Sequence, residues 1–166
     1  MTAKNYLIVV GVDGSEGGRR ALQWAVHEAH THGGTVEAVT AWTWDANEPP
    51  GSSGTAEEMR ARASTTLDHE IDGVPAYRRG GVPIATEVVE GRSGDVLTAA
   101  ARHADLLVLG SRGHSPVWHS VLGSVSEECI RKATCPVVVL PVGYEQPRTS
   151  AEPASRAAPG LGGELG

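Results

Sequence analysis

Hydrophobic residues along this chain follow two alternating periodicities. Five short segments show the apolar run or the strict alternation typical of β-strands: residues 6–12, 35–41, 84–89, 106–109 and 137–140. Between them, apolar residues recur at the three- and four-residue spacing of one helix face in residues 15–33, 55–72, 93–103 and 125–133. The predicted order is therefore βαβαβαβαβ.

This alternation predicts an α/β fold, with a five-stranded, mostly parallel sheet and helices on both of its faces. In such sheets, ligands bind beyond the carboxyl ends of the strands, at the point where the strand order reverses. The turns that begin at Asp13 and Gly110, and the end of the second strand at Ala41, should therefore lie near one another.

Turn and cap residues predict several element boundaries. Ser15 is suited to cap the first helix and Gly33 to end it, and Ser124 with Glu127 has the spacing of a capping box. Residues 42–54 are predicted to be a loop and residues 73–83 a connection. The last helix is expected to turn one apolar stripe inward: Val125, Cys129, Ile130 and Ala133.

Composition changes sharply near residue 142. Residues 143–166 are rich in Pro, Gly, Ala, Ser and Glu and hold almost no large apolar side chains. Such a segment buries too little surface to offset its ordering entropy. We therefore predict one domain over residues 1–142 and a disordered tail over residues 143–166.

Charge and composition exclude several classes of protein. A net charge of −6 argues against a nucleic-acid-binding protein, which needs a basic face, although a single nucleotide needs only local donors. No apolar run approaches the roughly 20 residues of a membrane span, and no signal-peptide pattern is present. Two cysteines, Cys129 and Cys135, do not make a disulfide framework. The expected setting is cytoplasmic, with Cys129 a buried structural thiol.

The first turn is a poor phosphate site. Gly11, Gly14 and Gly17 do not have the spacing of the Gly-x-Gly-x-x-Gly dinucleotide fingerprint, and no Gly-x4-Gly-Lys-Ser/Thr P-loop occurs. Asp13 lies where a pyrophosphate would bind, and its carboxylate would repel it. The same carboxylate could hold Mg²⁺ or accept a hydrogen bond from a ribose hydroxyl.

The turn after the fourth strand is a better candidate. Gly110 and Gly113 would let the backbone approach a ligand, and Arg112 supplies a permanent planar cation suited to phosphate. The fourth predicted helix begins near Gly123 and Ser124, where its unpaired N–H groups favour an anion; Ser124 and Ser126 add hydroxyl donors. The same spacing also fits a glycine-rich loop followed by an ordinary capped helix.

With these motifs together, the chain resembles the universal stress protein family over about residues 4–142. Three segments carry the resemblance: Ile-Val-Val-Gly-Val-Asp-Gly-Ser at residues 8–15, Asp-Leu-Leu-Val-Leu-Gly-Ser-Arg-Gly at 105–113 with Gly123-Ser124 after it, and Cys-Pro-Val-Val-Val at 135–139. The second segment matches the Gly-x2-Gly-x9-Gly-Ser/Thr pattern of the family's ATP-binding branch.

The resemblance implies a Rossmann-like fold of the adenine nucleotide alpha hydrolase-like type, with ATP and Mg²⁺ as ligands. Asp13 would lie by the ribose or a metal, and the Ala41 backbone would contact adenine. The remaining cofactor-binding positions, toward ribose and phosphates, would be Gly110, Arg112, Gly113, Gly123, Ser124, Val125 and Ser126.

The resemblance also implies an assembly and a regulatory role. Family members commonly dimerise through the last strand, here Val137–Leu140, and a regulatory module of this kind would act through a protein partner. Two other functions stay open: a slow ATPase or phosphoryl or adenylyl transferase, and a nucleotide-free interaction protein. AMP, ADP or a cyclic nucleotide also stays open as the ligand.

Three other features remain without a definite role at this point. Trp42 and Trp44 could cover the base or pack elsewhere. His119 could touch a terminal phosphate but is better explained as a solvated loop histidine, and Trp118 has no assigned role.

Overall fold

The computed structural model of the chain describes residues 5–49, 51–52, 54–113 and 122–148, and all five predicted strands are present. The strands are β1 (Leu7–Gly11), β2 (Thr35–Trp42), β3 (Ile84–Glu90), β4 (Leu106–Gly110) and β5 (Val137–Leu140). The helices are α1 (Glu16–His32), α2 (Ala56–Asp72), α3 (Ala76–Arg79), α4 (Ser93–Ala100) and α5 (Ser124–Lys132). A 3-10 turn, Ala101–His103, continues α4.

The strands form one sheet in the order β3-β2-β1-β4-β5, and every pair is parallel. The chain builds outward from β1 through β2 to β3, then returns to the other side of β1 for β4 and β5. The reversal therefore lies between β1 and β4, and the predicted α/β sheet is confirmed.

Two apolar layers hold the helices on opposite faces of the sheet. The layer under α1 and α2 includes Ile8, Val10, Leu22, Val26 and Leu67, all fully or almost fully buried. The layer under α4 and α5 includes Val9, Val39, Leu97, Leu107 and Cys129. Because successive strand side chains point to opposite faces, Val9 and Val10 serve different layers.

The predicted helix ends are mostly confirmed. The Gly18 N–H donates to Ser15 Oγ at 3.1 Å at the start of α1, and Gly33 ends that helix with a φ of 63°. At the start of α2, Thr55 and Glu58 form a reciprocal capping box. These signals are local, so the sequence alone specifies them.

An ion pair joins α1 to α2. The Arg19 guanidinium donates from Nε and one terminal nitrogen to the two carboxylate oxygens of Glu70, each at 3.0 Å. Glu70 is only 4% exposed, and its bond with Arg19 lowers the pKa of its carboxyl group. The pair keeps a buried carboxylate satisfied and fixes the first turn of α1.

Three expectations were wrong. The connection 73–83 contains the one-turn helix α3. The first residue of α5 is Ser124, with Gly123 as its cap and no side-chain capping bond, so the capping box with Glu127 does not form. Ile130 is 50% exposed, because it lies about a quarter-turn from the inward position of Cys129 on α5.

The chain after β5 begins with a packed residue. Tyr144 is half-buried against the layer under α1, and its N–H donates to Pro141 O at 3.1 Å. Residues 149–166 of the predicted tail lie outside the described residues. Its disorder stays a prediction.

Two glycines allow α1 to lie directly on the end of β4. A Cβ on Gly110 would lie 2.5 Å from the carbonyl carbon of Gly17, and a Cβ on Gly17 would overlap Arg112 O. Both neighbours are backbone atoms, which cannot rotate away. The absence of these two side chains therefore fixes the first turn of α1 against the turn after β4.

We expect Gly110→Ala to lower the free energy of unfolding by about 1–3 kcal/mol, because the new methyl group forces two backbone segments apart. Urea unfolding followed by circular dichroism measures this. Gly143→Ala is the matched control, since a Cβ there meets nothing within 4 Å, and it should stay within about 0.5 kcal/mol of wild type. Equal stability of the two variants would contradict the proposed contact.

Candidate functional site

A cleft opens at the carboxyl edge of the sheet, at the reversal between β1 and β4. Its volume is about 350 Å³. The turn after β1, the end of β2, the start of α4, the turn after β4 and the start of α5 all contribute to it. The lining residues predicted from the sequence are Asp13, Ala41, Gly110, Arg112, Gly113, Gly123, Ser124, Val125 and Ser126.

Asp13 is held in place at the first turn. Its Oδ1 accepts from the N–H of Ser15 at 3.0 Å and from the Ser15 hydroxyl at 2.5 Å. A Cβ on Gly18 would lie 2.8 Å from Oδ1, and one on Gly113 would lie 2.5 Å from Oδ2. The carboxylate is therefore fixed between the first turn of α1 and the second glycine of the other turn.

Two hydrogen bonds bring the two described ends of segment 110–126 together, and a third joins the segment to β5. The Gly123 N–H donates to Ser111 O at 2.6 Å, and the Ser111 N–H donates to Leu140 O at 2.8 Å. The Ser126 hydroxyl donates to Gly110 O at 2.8 Å and is buried. Ser126 thus ties α5 to the end of β4, while the exposed Ser124 hydroxyl lies at the cleft with no partner among the described residues.

Arg112 brings a permanent cation to the cleft wall. Its Nε is buried and has no hydrogen-bond partner within the described part of the chain. An unpaired buried donor is costly, and the charged guanidinium of this cleft-lining arginine is suited to an anion. The rest of the loop, including Trp118 and His119, lies outside the described residues.

The end of β2 extends past its neighbour. Pairing between β1 and β2 ends at Gly11 with Val39, and one further bond runs from the Val12 N–H to Val39 O at 2.9 Å. Backbone groups on alternate residues point to alternate neighbours, so those of Ala41 point to the same side as those of Val39. No described residue bonds the Ala41 N–H or carbonyl there, and Ala41 lines the cleft.

Sequence reasoning missed Gly17, Gly18 and Ser93. The glycine pair in the first turn of α1 was a usable signal, because glycine is unfavourable in a helix unless packing requires it. Ser93 lines the cleft from the start of α4 and had no such signal.

Trp42, the last residue of β2, and Trp44, in the loop after it, do not cover the cleft. Neither Trp42 nor Trp44 is among the cleft-lining residues. Trp44 Nε1 donates to Gly54 O at 3.1 Å, which holds that indole on its own loop.

Comparison with known proteins identifies the family. Residues 7–141 match the universal stress protein family. The chain belongs to that family. A universal stress protein of Mycobacterium tuberculosis is 31% identical over 140 residues, which cover 84% of this chain and 50% of that relative. The chain therefore spans about half the length of that relative.

Solved structures of universal stress proteins share the fold. One from Burkholderia pseudomallei is 26% identical and has a TM-score of 0.62, over 85% of this chain and 99% of the other. Another, solved in complex with cAMP, is 25% identical and has a TM-score of 0.52, over 83% of this chain and 98% of the other.

The described part of this universal stress protein has neither a metal cluster nor a membrane helix. Its residues include no group of three or more His, Cys, Asp or Glu that could hold a metal ion. Over the same residues, no helix has the length and apolar character needed to cross a bilayer. Among the residues that the structure describes, Asp13 is the single carboxylate that lines the cleft.

Both cysteines of this universal stress protein are free thiols in the apolar layer under α4 and α5. Cys129 is fully buried, as predicted, and burial raises its pKa to about 11. Burial also raises the pKa of Cys135. Both groups therefore stay protonated near neutral pH, which is typical of structural thiols.

Alanine substitutions of the two serines of α5 should have different effects on the free energy of unfolding. Ser126→Ala leaves the Gly110 carbonyl without its partner and should lower the free energy of unfolding by about 1–3 kcal/mol. Ser124→Ala should change it by less than about 0.5 kcal/mol, because Ser124 is exposed and makes no such bond. Thermal and urea unfolding measure both, and equal losses would contradict the bracing role of Ser126.

Proposed function

We propose that this chain is an ATP-binding regulatory module of the universal stress protein family, whose nucleotide state is read by protein partners. One observation carries the proposal. The cleft is lined at one end by Arg112, whose buried Nε has no partner among the described residues, and at the other by Ala41, whose backbone lies beyond the β1–β2 ladder. A ligand that joins an anionic group to a flat, hydrogen-bonding base would complement both ends of the cleft.

The phosphate end lies at the turn after β4. Arg112 supplies a cation, and the start of α5 supplies N–H groups and a favourable dipole beside the Ser124 hydroxyl. Gly113 offers an exposed backbone, and the Asp13 carboxylate is the described group that lies near its missing Cβ. These donors suit a chain of phosphates better than a neutral ligand.

The base end lies at the end of β2. Ala41 presents one N–H donor and one carbonyl acceptor, which match the ring acceptor and the amino donor of adenine. Apolar side chains give the base its walls: Val39, Leu97, Leu109 and Val125. The pattern favours adenine on both hydrogen bonding and burial.

Mg²⁺ fits only together with the nucleotide. A single carboxylate, already bonded to Ser15, is too small a ligand set for Mg²⁺ alone. Mg²⁺ commonly combines one or two carboxylates with substrate phosphates and water. Asp13 would then supply one oxygen, and the phosphates and water would supply the rest.

Cyclic AMP is the second candidate ligand. It is favoured by the universal stress protein whose structure was solved with cAMP, at 25% identity. The base end would serve both ligands equally, whereas Arg112 and the start of α5 together offer more donors than one cyclic phosphate uses.

Regulation is better supported than turnover. Hydrolysis of ATP needs a group that orients or activates the attacking water. Among the described cleft residues Asp13 alone could do so, and Oδ1 of that carboxylate is engaged by Ser15. A nucleotide-free interaction protein is disfavoured because the complete motif lines an open cleft.

The proposed assembly is a homodimer through β5. The Leu107 N–H donates to Pro136 O at 3.0 Å and the Ser111 N–H donates to Leu140 O at 2.8 Å. The backbone groups of the even-numbered residues of β5 therefore point toward β4. The N–H groups of Val137 and Val139 therefore point outward from the sheet edge. An apolar edge of this kind is an aggregation hazard unless a second strand covers it.

Sedimentation velocity tests this assembly. Wild type should sediment as a dimer, and Val139→Pro as a monomer, because proline removes an outward N–H without touching the β4 ladder. A monomeric wild-type protein would contradict the proposed dimer, and a variant that stays dimeric would assign it to another surface.

Calorimetry tests the function itself. Nucleotide-stripped protein with Mg²⁺ should bind ATP, and Arg112→Gln should weaken it about 10- to 100-fold by removing a charged hydrogen bond. The control Arg62→Gln removes an exposed arginine of α2 that does not line the cleft, and should bind as wild type. Absence of ATP binding would refute the proposal, and tighter binding of cAMP would favour the second candidate.

A further inference from the structure

We propose that Thr40 is a positioning residue for the base: its hydroxyl ends the β1–β2 ladder and so leaves the Ala41 N–H available to a nucleotide. This inference rests on the proposed nucleotide function of the cleft. The observation behind it is the hydrogen bond from Thr40 Oγ to Val12 O, 2.8 Å long, at a residue only 5% exposed.

The parallel ladder defines which partner Ala41 would otherwise take. The last bond of the ladder runs from the Val12 N–H to Val39 O. In a regular parallel pair, the next bond would run from the Ala41 N–H back to Val12 O. The Thr40 hydroxyl donates to that same carbonyl oxygen, and no hydrogen bond from the Ala41 N–H to Val12 O is present.

The Thr40 hydroxyl removes the need for another backbone hydrogen bond to Val12 O at the end of β1. A buried carbonyl without a partner is costly, so Val12 O would normally draw the next backbone N–H toward it. Thr40 satisfies this oxygen from a side chain. β1 can then turn away at Val12 toward Asp13 and Ser15, while β2 runs on to Trp42.

The consequence is a vacant donor at the base end of the cleft. The Ala41 N–H and carbonyl lie beyond the end of the β1–β2 pairing, and Ala41 lines the cleft together with Val39 and Leu97. A ladder closed by one more bond would remove the donor that adenine requires. Thr40 therefore acts through Ala41 without touching the ligand itself.

Thr40→Val tests this, because valine has the same shape and lacks the hydroxyl. We expect the Ala41 amide to move onto Val12 O and to exchange with solvent at least about tenfold more slowly, measured by NMR on the nucleotide-free protein. ATP affinity in calorimetry should fall about tenfold, the equivalent of one hydrogen bond. Inorganic tripolyphosphate, which has no base, should bind as tightly as to wild type.

Two further variants separate positioning from general damage. Thr40→Ser retains the hydroxyl and should restore both the fast exchange of the Ala41 amide and the ATP affinity. Thr86→Val removes an exposed threonine hydroxyl from β3, the neighbouring strand, and should change neither. Thr40→Ala, which removes the γ-methyl group as well as the hydroxyl, should change Ala41 exchange and ATP affinity in the same direction as Thr40→Val.

The outcomes are distinct. Unchanged Ala41 exchange in Thr40→Val, or equal losses of ATP and tripolyphosphate binding, would overturn the role of Thr40. If wild type bound no adenine nucleotide while the Ala41 amide still became protected in Thr40→Val, the proposed function would fail and the effect on the ladder would stand.

Discussion

The backbone of α1 rests directly on the backbone that follows β4, and the candidate site depends on that contact. Gly17 and Gly110 approach so closely that a Cβ on either would overlap main-chain atoms of the other segment. This contact sets the distance between the two turns that flank the sheet reversal. The same approach brings Asp13 next to Gly113. The close packing of α1 on the turn after β4 therefore also sets the shape of the cleft.

The glycines of the motif therefore have unequal physical roles. Gly110 lacks a side chain because a helix lies on it, whereas Gly113 lacks one beside a carboxylate at the cleft. Ser126 resembles a ligand-binding hydroxyl in the sequence but donates to the Gly110 carbonyl. Arg112 differs from both, because its buried Nε has no partner in the described part of the chain and leaves a donor for an anion.

Local and periodic features could be predicted from the sequence, and tertiary ones could not. The strand order along the chain follows from apolar periodicity, and the caps at Ser15 and Gly33 follow from local hydrogen bonding. The exposure of Ile130 and the partner of Ser126 depend on how α5 is rotated and on a residue 16 positions away. The availability of Ala41 depends on where two strands stop relative to one another, which no single segment encodes.

A crystal structure of the protein with ATP and Mg²⁺ tests the central claim most directly. The account predicts adenine against the Ala41 backbone, with the phosphates between Arg112 and the start of α5. Nucleotide density outside this cleft, or an empty cleft in crystals saturated with ATP, would contradict it.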